Sequence, residues 1–388
     1  MLKKAAFDYI ETHKEEMVSL WRELVSIESP SNDKVGVDTV AARIKAVLMA
    51  EGAVTELVEF EKAGNLLVAT YGKAKDKAPV ALIGHMDTVF PQGTIEQRPF
   101  TIQGGKAYGP GVLDMKGGIV VLLYVLKALK AAGYIARPLK VILAGDEEVG
   151  HQHSEATQVF RQEAAGCIAA FNFETGFVDN RIVVGRKGGY TFAMEVHGVA
   201  AHTGNNPKAG RSAVLELAHK TIDIHKLTDW ETGTTFSVGT FHGGTVVNSA
   251  PDFAKAEIDV RCVSEAAARK VERQLREIAE KTYIEGTRTV LTGGVGFMPM
   301  ETTDGVMKLF ELLAATSEEN NFGKLTPAQS GGASDSSNTV IAGVPTVCAL
   351  GVKGEHNHSP LEYALVDSLF ERAKLVAACI LNLDQGAA

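Results

Sequence analysis

Apolar residues change their spacing several times along this chain of 388 residues, and the changes mark out its architecture. Over residues 5–27 and 35–51 they recur at three- and four-residue intervals, which predicts helices. Short, unbroken apolar runs follow at Val80–Gly84, Leu139–Ala144 and Ile168–Phe173, the pattern of strands buried on both faces. Between the first two, Gly117–Ala132 reads as a helix ended by Gly133. Thr346–Leu350 is a further buried strand, and residues 366–382 form a closing helix. Helices and strands that alternate in this way predict a mostly parallel sheet with helices on both faces.

The middle of the chain has another grammar. Gly189–Val196 alternates like a half-exposed strand, and Ser212–Leu227 reads as a helix. Strands at Thr235–Phe241 and Ala254–Arg261, a charged helix at Glu265–Lys281 and a strand at Arg288–Leu291 complete the order β-α-β-β-α-β, that of a ferredoxin-like domain. The expected fold is therefore α/β, formed by residues 1–185 and 297–388 and interrupted by a smaller α+β domain at 186–296.

Composition narrows the possible partners. The hydrophobic fraction of 45% and charged fraction of 22% are those of a globular protein. A formal charge of −8, from 39 basic and 47 acidic residues, argues against a nucleic-acid or anionic-membrane surface. No run reaches the roughly 18 apolar residues of a membrane span, and Lys3-Lys4 is not followed by a continuous apolar stretch. Cys167, Cys262, Cys348 and Cys379 are widely spaced, as in reduced structural cysteines, so the expected compartment is the cytoplasm.

The chemistry lies where the predicted strands end. Val80–Gly84 runs into His85-Met-Asp87, Leu139–Ala144 into Asp146-Glu-Glu148, and Ile168–Phe173 into Glu174. Asp114 sits in a glycine-rich turn ahead of a helix, and Thr346–Leu350 leads into a loop with His356 and His358. Open sheets of this type bind ligands beyond the carboxyl ends of their strands. So many carboxylates in one crevice would repel one another unless cations neutralised them. Mixed imidazole and carboxylate ligands suit a pair of divalent ions, zinc first, with manganese or cobalt as substitutes. Alone, each motif is common; four at successive strand ends are not independent.

Four motifs together resemble one known family: His85-Met-Asp-Thr-Val89, Ala107-Tyr-Gly-Pro-Gly-Val-Leu-Asp-Met-Lys-Gly-Gly118, Asp146-Glu-Glu148 and His358-Ser-Pro-Leu-Glu-Tyr363. They look like the co-catalytic zinc peptidases, which include glutamate carboxypeptidases, aminoacylases, aminotripeptidases and succinyl-diaminopimelate desuccinylases. The glutamate carboxypeptidases are nearest in pattern. The resemblance implies that His85 and Glu174 each bind one metal, that Asp114 bridges both, and that Glu148 and His358 complete the second site. It implies that Asp87 orients His85 and that Glu147 is the general base toward a metal-bridging water. The spacing alone permits either glutamate of the pair to be ligand or base, and it leaves His356 as a rival to His358.

For the inserted domain, Gly198-Val-Ala-Ala-His-Thr-Gly204 is similar to the family segment whose histidine, here His202, polarises the scissile carbonyl in a partner subunit's site. Asn248, Arg261 and the glycine-rich loop around Gly332 match substrate-contacting positions; the alternative for Arg261 is a sheet-edge residue paired with Asp259 or Glu257. The implied protein is a homodimer, joined through the inserted domain, that cleaves the amide bond to a C-terminal amino acid in a small peptide or N-acyl amino acid. An aminoacylase, deacylase or dipeptidase would share every one of these residues, and Asp114-Met115-Lys116 is the form associated with deacylases and desuccinylases. A non-catalytic homologue serving as a binding protein is disfavoured, because the base and all five ligands are present.

Overall fold

The structure, a computed structural model, describes residues 1–72, 74 and 76–383, apart from the side chain of Val295. The chain divides into two compact units: Met1–Gly185 with Thr302–Gln329 and Ser334–Ala388, and Arg186–Glu301 with Ser330–Ala333.

The first unit is built on a six-stranded sheet. Val80–His85 lies parallel to both Leu139–Gly145 and Ala169–Asn172, and Thr346–Val347 pairs parallel with the latter. The opposite side of the sheet is antiparallel: Gly64–Tyr71 runs against Leu139–Gly145, and Val54–Val58 against Gly64–Tyr71. The sheet is thus parallel where the expected strands lie and antiparallel where two further strands join it.

Ala81 and Ile83, with Ile142, Ala144, Leu66 and Val68, pack one face against Ala156 and Phe160 of the helix Ala156–Ala164. Gly84 is on the other pleat, where a Cβ would lie 2.2 Å from the Met115 side chain. Each buried Ile, Leu, Val or Phe side chain among these contributes roughly 1.5–3 kcal/mol. Helix Gly117–Ala131 is buried on nearly every side, which explains why its sequence shows no polar stripe. It packs against the closing helix Val366–Leu383 and the first helix Leu2–Thr12. The helix expected over 5–27 is two helices, Leu2–Thr12 and Lys14–Ser26, broken at His13.

The second unit has a four-stranded antiparallel sheet in the spatial order Thr235–Gly243, Phe253–Cys262, Gly188–His197, Arg288–Phe297. Two helices, Ala213–His225 and Glu265–Glu280, share its core with Phe192, Met194, Ile258 and Val260. Ser212 and Ser264 cap them by accepting the Leu215 and Ala267 amides. The last strand is longer than expected. Gly293 and Gly294, both at positive φ, sit where its register against Thr191 and Phe192 shifts, and they interrupt the alternation that would have marked its second half.

Candidate metal centre

The strand Val80–His85 is buried throughout and delivers His85 into the interior. His85 Nδ1 is 3.0 Å from the Asp87 carbonyl oxygen, a contact that places a proton on Nδ1 and turns Nε2 toward the candidate ligand groups. Nε2 faces Asp114 Oδ1 at 3.3 Å and Glu174 Oε1 at 3.9 Å. The Asp87 carboxylate, expected on this ring, stands farther off at 3.3 Å. Its oxygens are already filled by the amides of Glu147 and Glu148, both at 3.1 Å, and by the Ser31 hydroxyl at 2.6 Å.

Asp114 lies in the irregular turn Val112–Lys116, where its own φ and ψ are non-helical. Its second oxygen, Oδ2, faces His358 Nε2 at 3.2 Å, and His358 Nε2 is also 3.2 Å from Glu148 Oε2. The result is two groups of three, His85–Asp114–Glu174 and Asp114–Glu148–His358, joined at Asp114. Within each, one ligand atom per residue lies within 4.8 Å of the others. Ligand atoms about 2.0–2.2 Å from a tetrahedral ion stand roughly 3.3–3.6 Å apart, so both groups are close to the size a divalent ion needs. Glu148 Oε1 is buried without a hydrogen-bond partner, as an oxygen reserved for a cation would be.

The charges argue the same way. Burial, with the Asp114 charge beside it, pushes Glu148 up to about 7. Burial also raises Glu147 well above the carboxylate range; His85 opposes this, while Glu174, Glu148 and Asp335 add to it. Asp114 is pushed up by burial, yet hydrogen bonds from His358 and His85 outweigh this and hold it low. His358 is driven up to about 11 by its bonds to Asp114 and Glu148. So many buried carboxylates side by side are an arrangement that divalent cations would stabilise.

Some contributors carry no signal by residue type. Asn357 Nδ2 donates to Asp114 Oδ2 at 3.0 Å. Glu362 is fully buried, and its Oε1 accepts the amides of Leu113 and Asp114 at 2.8 and 3.3 Å, which fixes the backbone of the shared ligand. It falls inside the His358–Tyr363 motif, and that position was its only mark. Gly118 is required by packing: a Cβ there would lie 1.9 Å from the Phe173 carbonyl oxygen, one residue before Glu174. His356 is exposed and belongs to neither group of three.

The remaining candidates lie in the second unit. His202 is exposed, and its Nδ1 accepts the amides of Gly204 and Asn205, both at 3.1 Å, so the ring proton sits on Nε2. Asn248 accepts from the Thr203 amide and hydroxyl through its carbonyl oxygen. Arg261 grips Asp259 with two bonds, at 3.1 and 2.9 Å. The Gly332 carbonyl accepts from Arg186 Nη1 at 3.1 Å.

Residues 81–382 match the model of peptidase family M20/M25/M40. The chain belongs to that family. It is 27% identical to carboxypeptidase G2 of Pseudomonas sp. strain RS-16 over 377 residues, 95% of this chain and 90% of that protein. It is 27% identical to the succinyl-diaminopimelate desuccinylase of Stenotrophomonas maltophilia strain R551-3 over 330 residues, covering 74% and 85% of the two chains. In fold it is similar to the crystal structure of the aminopeptidase PepT from Bacillus cereus, with a TM-score of 0.79 at 22% identity over 95% of this chain and 98% of that one. Membership of the family makes the chain a metal-dependent hydrolase. Among the described residues no helix is long and apolar enough to cross a membrane.

Proposed function

We propose that this peptidase hydrolyses the amide bond to a C-terminal amino acid, with two zinc ions held by His85, Asp114 and Glu174 and by Asp114, Glu148 and His358. The observation that carries the reading is the pair of three-residue groups sharing Asp114, with Glu147 buried in electrostatic reach of His85 and Glu174. Bound divalent ions supply Lewis acidity at the scissile carbonyl and the attacking water.

Glu147 does the proton work. Its carboxylate takes a proton from the attacking water and returns it to the leaving amine as the carbon–nitrogen bond breaks, so water and amide become acid and amine. Asp87 holds the Glu147 and Glu148 amides and so orients a base and a ligand together. With its proton on Nε2, His202 is a ready donor to the developing oxyanion in a partner subunit's site. Asn248, Arg261 and Gly332 are offered as substrate contacts; a substrate carboxylate would have to compete with Asp259 for Arg261.

A homodimer through the second unit is supported by its exposed apolar side chains. Leu215 and Ile222 stand on one helix and Phe241 on the edge strand, at 48%, 55% and 39% exposure. The expected setting is the cytoplasm, where the four cysteines stay free.

The carboxypeptidase reading is favoured by carboxypeptidase G2, which is 27% identical over 95% of this chain. A second reading, cleavage of N-acyl amino acids, is favoured by the equally identical desuccinylase. Amino-acid release from pteroyl glutamates, dipeptides and N-acyl amino acids, with zinc and with chelator, separates the two. Chelator-sensitive release concentrated on glutamate or aspartate conjugates is the expected result, and release only from short N-acyl substrates would transfer the protein to the second reading.

A further inference from the structure

His151 lies three residues beyond Glu148 and takes no part in either group of metal-ligating side chains. Its side chain is buried between two carboxylates. Nδ1 is 2.8 Å from Asp146 Oδ1, and Nε2 is 2.9 Å from Asp335 Oδ1, 184 positions farther along the chain. A carboxylate only accepts, so both ring nitrogens donate. Burial disfavours the charged ring, but Asp335 and Asp146 outweigh it and hold His151 well above the usual imidazole range.

Each end of this bridge is anchored again. Asp146 Oδ2 accepts the Ser154 hydroxyl at 2.7 Å, and the His151 amide donates to the Asp146 carbonyl at 3.1 Å. Asp335 Oδ1 also accepts Asn338 Nδ2 at 2.9 Å. The neighbours of Asp335 hold a second strand end. Asn172 closes the strand Ala169–Asn172 two residues before Glu174, and its Nδ2 donates to Ser336 Oγ at 2.8 Å. The short segment Ser334–Ser336 therefore touches both strand ends that carry candidate acids: Glu147 and Glu148 through His151, and Glu174 through Asn172.

We infer that His151 is a positioning residue, whose bridge from Asp146 to Asp335 sets the Glu147–Glu148 turn against the Glu174 strand end. The Gly150 amide donates to the Glu147 carbonyl at 2.8 Å, so the turn is tight, and movement of its far end is passed to the base. A neutral or missing side chain at 151 would leave two facing carboxylates buried without a cation between them. This inference rests on the proposed role of Glu147 as base.

The test compares His151→Ala, His151→Gln, Asp335→Asn and the His151→Ala/Asp335→Asn double variant with Glu147→Gln, all at saturating zinc and well below each melting midpoint. In His151→Ala, kcat should fall about 10–100-fold, as for other supporting contacts around metal sites, with KM within about twofold of the parent. His151→Gln keeps an amide donor and should recover part of the loss. The double variant should be no slower than His151→Ala, because both changes break one bridge. Should His151→Ala not fold, His151→Gln and Asp335→Asn carry the same comparison. Parental kcat in the bridge variants, with Glu147→Gln inactive, would overturn this inference alone. Full turnover in Glu147→Gln would instead overturn the base assignment beneath it.

Discussion

Asp87 holds Glu147 by its backbone: one carboxylate oxygen accepts the Glu147 amide at 3.1 Å, while the other accepts the Glu148 amide at the same distance. A buried carboxylate that receives two amides and the Ser31 hydroxyl is a rigid mount for the turn carrying the proposed base. Replacing Asp87 by Asn sets an NH2 group against an N–H donor. Turnover should drop about 10–100-fold with the fold retained, measured as kcat alongside the far-ultraviolet circular dichroism spectrum. An unchanged kcat would show that the turn needs no such mount.

The ligand groups make a prediction about stoichiometry. Asp114 faces both histidines, His85 through one oxygen and His358 through the other. Asp114→Ala should bind neither ion tightly, whereas His85→Ala and His358→Ala should each keep one. Elemental analysis after dialysis gives the count. Two retained ions in Asp114→Ala would refute the shared ligand.

In the second unit, Glu216 and Lys220 form a fully buried ion pair at 3.1 Å. Lys220 Nζ also donates to the carbonyls of Ile278 and Ala279 at 2.7 and 3.0 Å, closing the end of the helix Glu265–Glu280. Glu216 accepts the Tyr283 and Ile284 amides at 2.9 and 2.6 Å. Lys220→Met strands a buried carboxylate and should cost about 3–5 kcal/mol. Denaturant unfolding measures this, and a loss under about 1 kcal/mol would count against the pair's role.

The thiols should be silent. All four cysteines are buried, and burial pushes Cys167 and Cys262 up to about 11 and Cys379 up to about 12. The thiolate is the reactive form. An aromatic disulfide reagent at pH 8 should label none in the native protein and four after denaturation. Rapid native labelling would mean that the core opens easily.

Much of the candidate metal centre was legible because its residues follow buried strands, and a strand that is apolar on both faces announces its own carboxyl end. The strand ends mark His85, the Glu147–Glu148 pair and Glu174 as candidates in this way, while the choice of Glu148 over Glu147 as ligand came from the family motif. Asp114 and His358 needed the motifs around them, since neither a turn nor a loop has a periodicity. Asn357, Glu362 and His151 escaped because their function is to hold other residues, and an asparagine, a glutamate or a histidine in a loop looks solvated until the fold buries it. The strand Gly64–Tyr71 opens on Gly-Asn, which reads as a turn, and Val54–Val58 is half-exposed and short. Arg261 was the ambiguous one: its bond to Asp259 is the pairing that two-residue spacing on one strand face allows.

The most direct test of the central claim is Glu147→Gln, assayed for bound metal and for amino-acid release beside the parent protein. Two ions per chain with turnover reduced at least about 1000-fold is the result expected of a lost general base acting beside an intact two-metal centre. Normal release by Glu147→Gln, or no metal in the active parent, would contradict it.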